Sequence, residues 1–128
     1  MADVVADASA LVDLLLANEL SHAVRHRLTG QVLHAPSHVD AEVLSALGRL
    51  HRAGELDAHD VEDKLRSLAA APITRHPVSE LLIDAWARRQ QLRLADALYV
   101  ELATARGCQL VTTDRRLGGV PAVDVVLA

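Results

Sequence analysis

Short apolar runs alternate along this chain with longer segments of helical periodicity, and that alternation predicts an α/β fold around a parallel sheet. Two observations carry the prediction. Most of the short runs are apolar throughout, as in Val4-Val5-Ala6, which marks strands buried on both faces. The 128 residues are 51% hydrophobic, enough apolar surface for a sizeable core with some left for a partner. The chain, 1–128, is expected to form one domain, without internal repeats or linkers.

The elements follow in order. Val4-Val5-Ala6 is the first strand, closed by Asp7; Leu11, Leu14 and Leu15 then share one face of a helix over 8–17. A second helix is expected over 19–29, stopped by Gly30. Residues 31–35 read as a strand closed by Pro36. Ser37 is placed to cap a helix that runs to about Ala53 and stops at Gly54, with Val39, Val43, Leu44, Leu47 and Leu50 as its apolar stripe. Asp57 caps a helix to about Ala70, which Pro72 ends. Residues 73–75 form a short strand. Helices over 79–91 and 95–106 follow, the latter ended by Gly107. Gln109–Thr112 and 123–126 are the last strands.

Composition excludes several functions. Thirteen basic residues against seventeen acidic ones give a net charge of −4, so bulk charge does not hold this chain on nucleic acid, although a local basic patch remains open. Aromatics are 2%, Trp86 and Tyr99 alone, too few for a base-stacking platform. The single Cys108 allows no intramolecular disulfide and no cysteine-rich zinc site. The opening residues lack a basic segment and are interrupted by Asp3, Asp7 and Asp13, unlike a signal peptide. No apolar run approaches the ~20 residues that span a bilayer. A cytoplasmic location without membrane contact is expected.

Two strands deliver a carboxylate at their C-terminal ends: Val4-Val5-Ala6 into Asp7, and Leu110–Thr113 into Asp114. That edge of an open parallel sheet is where ligands bind, although an Asp there can equally cap the next helix. Glu42 borders an apolar stripe, and Asp96 sits in a first helical turn. Carboxylates brought together repel and raise one another's pKa, and a hard divalent cation with oxygen ligands removes the conflict. Pattern alone does not bring these acids to one place.

The segments around them resemble those of PIN domains, in particular the VapC-type toxin ribonucleases of toxin–antitoxin pairs. The resemblance rests on residues 5–12, 40–47, 95–103 and 110–117, each built around one of the acids, in order and across nearly the whole chain. It implies a five-stranded parallel sheet, order 3-2-1-4-5, with helices on both faces, so that Asp7 and Asp114 become neighbours at the switch point. It implies a Mg²⁺- or Mn²⁺-dependent endoribonuclease. Asp7 and Asp96 would be direct ligands, Glu42 an outer ligand or the group orienting the water, and Asp114 would complete the cluster. A metal-activated water would attack the phosphodiester. Ser9 and Thr112 match polar positions that support the site. The family also implies a homodimer and a cognate antitoxin whose C-terminal segment covers the acidic cleft.

Arg115 and Arg116 follow Asp114 directly and are candidates for RNA phosphate contacts, as are Arg88, Arg89 and Arg93 upstream of Asp96. Asp40 is peripheral. His22 and His26 stand at metal-binding spacing without the Glu of a metalloprotease and read as a surface pair, and Cys108 reads as an inert thiol. Two other functions compete. A Mg²⁺-dependent phosphoryl-transfer domain also places an Asp after a strand, but the only Lys, Lys64, lies far from any strand end, and Ser9 stands where a dehalogenase-like phosphatase has its second Asp. A catalytically inactive PIN-like domain that only binds partners would not need all four acids. For the homodimer, the helices over 57–70 and 79–91 are the expected contact.

Overall fold

The computed structural model describes residues 2–127. Strands β1 (Asp3–Ala6), β2 (Val32–Pro36), β3 (Ile73–His76), β4 (Gln109–Thr112) and β5 (Val123–Val125) pair in parallel in the order β3-β2-β1-β4-β5. Six helices connect them: α1 (Ala8–Leu16), α2 (Ser21–Leu28), α3 (Val39–Arg52), α4 (Ala58–Ala70), α5 (Leu82–Ala87) and α6 (Leu94–Arg106). Helices α1 to α4 pack among themselves on one face of the sheet. On the other, α5 packs on α6, which lies across β1, β2 and β4. The core runs through both layers: Val5, Leu110 and Val111 from the central strands, Val39, Val43 and Leu47 from α3, and Tyr99 and Val100 from α6. The central strands are thus covered on both sides, which is why they read as apolar throughout.

The helix ends follow the expected chemistry at three places and depart from it at two. Asp7 accepts a hydrogen bond from the Ala10 amide and caps α1; Asp57 does the same for α4 through Asp60. Gly107 ends α6 in the left-handed conformation (φ 63°), which a residue with a Cβ adopts only under strain, and turns the chain into β4. Ser37 does not cap α3. Its amide donates to the His76 carbonyl, extending the β2–β3 ladder, and His38 takes the cap position without a side-chain bond. The helix expected from Glu19 begins at Ser21, because Asn18 accepts from the Leu20 amide and the Ser21 hydroxyl and holds the chain in a local turn.

The helix expected over 79–91 is also shorter. A 3₁₀ turn (Val78–Leu81) leads into α5, which ends at Ala87. Beyond it Arg88, Arg89, Gln90 and Gln91 offer no apolar face to hold a further turn, and the chain continues as turns bonded to the Ala85, Trp86 and Arg88 carbonyls.

The buried His34 on β2 is satisfied across the sheet. Its Nε2 lies 3.1 Å from Asp3 Oδ1 and its Nδ1 2.8 Å from His76 Nε2. A carboxylate can only accept, so His34 donates to Asp3 through Nε2, and one of the two rings donates in the His34–His76 contact. No helix among the described residues is long and apolar enough to cross a membrane.

Candidate active site

Strands β1 and β4 are neighbours at the point where the strand order reverses, with Ala6 in register with Val111. Both loops that leave their C-terminal ends carry an acid. Asp7 follows β1 directly, and its amide donates to the Val111 carbonyl at 3.3 Å. Asp114 follows β4 by two residues and caps a 3₁₀ turn (Arg115–Leu117) through the Arg116 amide. Glu42 enters from the first turn of α3 and Asp96 from the first turn of α6. All four acids line one open cleft of about 370 Å³, together with Ser9, Asp13, Tyr99, Arg49, Arg93 and Arg116.

Asp7 is the deepest of them, 4% exposed. Its Oδ1 accepts from Ser9 Oγ (2.7 Å) and from the Ala10 amide (3.0 Å), and its Oδ2 accepts from Thr112 Oγ1 (2.5 Å). Ser9 and Thr112 therefore both spend their hydroxyl protons on Asp7. Each hydroxyl oxygen accepts in turn from the β4 loop, Thr112 from the Asp114 amide and Ser9 from the Thr113 amide. This network ties the α1 entry to the loop after β4 and fixes the carboxylate in place. No cation among the described residues pairs with Asp7. Burial pushes its pKa up to about 6 against the pull of the three hydrogen bonds, and the Asp96 charge pushes the same way. The Asp96 carboxyl is also raised, first by burial and then by the charges of Asp114 and Glu42, against the pull of Arg116. Asp114 is lowered by its bonds to Arg116.

Tyr99 holds Glu42. The tyrosine is buried, and its hydroxyl donates to Glu42 Oε1 at 2.6 Å. His38 packs tilted against the Tyr99 ring with centroids 4.6 Å apart and brings Nε2 within 3.4 Å of the same oxygen. Burial and the Glu42 bond push the Tyr99 hydroxyl far above its ordinary value, so it is a fixed donor.

A second cleft, about 430 Å³, lies at the N-terminal ends of β1 and β4 and is lined by Asp3, Arg27, Arg106 and Asp124 among others. Its charges are already matched, Arg27 with Asp124 and Arg106 with Asp3. The acidic cleft differs in carrying more carboxylates than cations, and a ligand with positive charge meets that need.

The chain matches the PIN-domain family model over residues 4–123. It belongs to the PIN-domain family. Among its relatives, this PIN domain is 56% identical to a protein of Mycobacterium tuberculosis named ribonuclease VapC3, over 89% of this chain and 84% of the relative, which places it with the VapC-type members. Two solved structures share the fold. The M. tuberculosis toxin VapC20, described as cleaving the sarcin–ricin loop, superposes with a TM-score of 0.71 at 15% identity, covering 97% of this chain and 99% of the other. A toxin–antitoxin complex from Klebsiella pneumoniae gives a TM-score of 0.65 at 16% identity, covering 95% and 96%.

The cleft brings together Asp7, Glu42, Asp96 and Asp114, with Ser9 and Thr112 bonded to the first of them. It includes Arg116 and Arg93; Arg115 is exposed beside the cleft but does not line it. Arg88 pairs with Glu101, and Arg89 lies 4.9 Å over the Trp86 ring, both away from the cleft. Asp40 makes a bidentate pair with Arg75, bridging α3 to β3, and is structural. His22 and His26 are exposed on α2, and burial raises the Cys108 thiol, in keeping with a surface pair and an inert thiol.

Sequence reasoning passed over Asp13, Tyr99 and His38. Asp13 lines the cleft and accepts from Thr113 Oγ1 at 2.6 Å. The signal was helical spacing. Asp13 stands four residues after Ser9, Tyr99 three after Asp96, and Glu42 four after His38, so each pair shares a helix face.

Proposed function

We propose that this PIN domain is a metal-dependent endoribonuclease toxin that hydrolyses RNA phosphodiester bonds and is neutralised by a cognate antitoxin. The observation that carries the reading is the excess of carboxylates in the cleft: Asp7 and Asp96 are held with raised pKa, and no cation among the described residues pairs with Asp7. The donor set is all oxygen, which suits Mg²⁺ or Mn²⁺, ions that need only a few carboxylates and keep several waters. Among the described residues no group of three or more His, Cys, Asp or Glu side chains is set out to hold an ion as the chain stands. Arg116 reaches across Asp114 towards Asp96, so the carboxylates must shift as the ion enters.

Asp7 and Asp96 would be the direct ligands, Asp114 the third acid of the cluster, and Glu42 an outer ligand or the group that orients the attacking water. The bound ion would supply a water activated at neutral pH and neutralise charge on the scissile phosphate. The residues of the chain do the rest. Ser9 and Thr112 keep Asp7 in one rotamer. Tyr99 directs one Glu42 oxygen and leaves the other free to accept a proton from water. Arg93, Arg115 and Arg116 stand in or beside the cleft, where RNA phosphates would meet cations despite the net negative charge.

The names of the relatives support the toxin and ribonuclease reading. A toxin–antitoxin complex among the structures of the same fold is in keeping with an antitoxin that covers the cleft. A homodimer is supported by an apolar patch on α5, where Leu82, Ile83 and Trp86 are exposed, Ile83 at 82%. A cytoplasmic location fits a toxin acting on cellular RNA.

The test is cleavage of total cellular RNA by the antitoxin-free protein in the presence of EDTA and after excess Mg²⁺ or Mn²⁺ is restored. Discrete fragments that appear only with metal are expected. Equal cleavage in EDTA, or none with either ion, contradicts the reading.

A further inference from the structure

Among the described residues, one cation of the acidic cleft, Arg116, contacts Asp96 and Asp114. Arg116 Nε donates to both oxygens of Asp114, at 3.0 and 3.1 Å, and Nη2 donates to Asp114 Oδ2. The same Nη2 lies 3.8 Å from Asp96 Oδ2. Arg116 is the only Lys, Arg or His among the described residues in ion-pair contact with either acid. Its backbone amide is separately bonded to Asp114 Oδ1 at 3.0 Å, so the start of the side chain is fixed beside the cleft while its head is about half exposed.

We propose that Arg116 is a built-in counter-ion that neutralises part of the acidic cleft in the metal-free protein and competes with the divalent cation for it. The inference rests on the metal-dependent reading above and adds a regulation of that site. Arg116 holds both oxygens of Asp114 and stands beside one of Asp96, and its charge repels a divalent cation brought to the same cluster. Metal entry is therefore favoured when Arg116 swings out. Apart from its ion pairs with these acids, the half-exposed side chain has no other tether among the described residues than its backbone, and it can swing at small cost, because an exposed ion pair is weak. The arrangement lowers apparent metal affinity, and it moderates repulsion between Asp96 and Asp114 while no metal is present.

The test is a calorimetric titration of Mn²⁺ into four proteins: wild type, Arg116→Ala, Arg115→Ala and Asp96→Asn. Arg115 is the charge control, because it is the adjacent exposed arginine and touches neither acid. Arg116→Ala retains the backbone bond to Asp114, and melting in EDTA checks that each variant is folded. Arg116→Ala is expected to bind Mn²⁺ about three- to tenfold more tightly than wild type, Arg115→Ala like wild type, and Asp96→Asn far more weakly. Unchanged or weaker binding in Arg116→Ala, or equal tightening in Arg115→Ala, overturns the counter-ion. If Asp96→Asn alone loses Mn²⁺, the counter-ion fails and the acidic-cleft reading stands. If Asp96→Asn binds like wild type, both fail.

Discussion

Asp96→Asn is expected to lower metal-dependent RNA cleavage by at least about 10²–10³-fold while leaving the fold intact. The size of the effect follows from what the substitution removes. The amide is nearly isosteric with the carboxylate but carries no charge, so the residue keeps its place in the first turn of α6 and ceases to attract a cation. It does not cap that helix: Arg93 holds the cap position, without a side-chain bond. Its one ion contact, with Arg116 at 3.8 Å, is loose. The melting temperature in EDTA should therefore stay close to that of wild type while the initial cleavage rate collapses. Full activity in a folded Asp96→Asn protein would contradict the assignment of this acid.

Asp7→Asn should also abolish cleavage, and its second effect reverses the usual direction of a buried substitution: the metal-free protein becomes more stable. Asp7 has a pKa of about 6 in the folded protein against an ordinary 3.8. The folded state therefore binds the proton more tightly than the unfolded one. Stability from this residue is complete below pH 3.8, falls as pH rises towards 6, and is reduced by about 3 kcal/mol at neutral pH, as an order of magnitude. Asparagine carries no such penalty. It also keeps the local bonds. Its carbonyl can accept from Ala10 and Ser9, and its amide can donate to Thr112 Oγ1, whose proton turns to Ser9 Oγ 3.0 Å away. Asn is as good a helix cap as Asp. Urea denaturation in EDTA should show Asp7→Asn more stable than wild type at pH 7.5, with the gain shrinking towards pH 4. A gain independent of pH, or a loss at pH 7.5, would contradict the account of a charged, unpaired carboxylate.

The sheet was readable in the sequence because its central strands are buried on both faces and so carry uninterrupted apolar runs. The strand order was not readable from those runs; it came with the resemblance to PIN domains. Asp7 and Asp114 were legible as strand-ending acids at the ligand edge, and the register of β1 with β4 sets their loops side by side. Glu42 and Asp96 reach the cleft from helices on opposite faces of the sheet, and no local pattern encodes that meeting. Ser37 and the helix over 79–91 show where local rules give way. Ser37 has the right chemistry for a cap, but its amide is taken by the β3 carbonyl of His76. Ser79 lies inside a 3₁₀ turn that begins at Val78 in place of opening a long helix, and the polar run after Ala87 has nothing to pack against. Tyr99 was legible as one of only two aromatics, yet its hydroxyl's partner 57 residues away becomes visible only in the fold.

The central claim is that the four carboxylates form a binding site for a divalent cation, and Mn²⁺ calorimetry on wild type and Asp96→Asn tests it without knowledge of the RNA. Saturable binding by the folded, antitoxin-free wild type, sharply weakened in the variant, is the predicted result. No binding by wild type up to millimolar Mn²⁺, or binding that Asp96→Asn leaves unchanged, would contradict it.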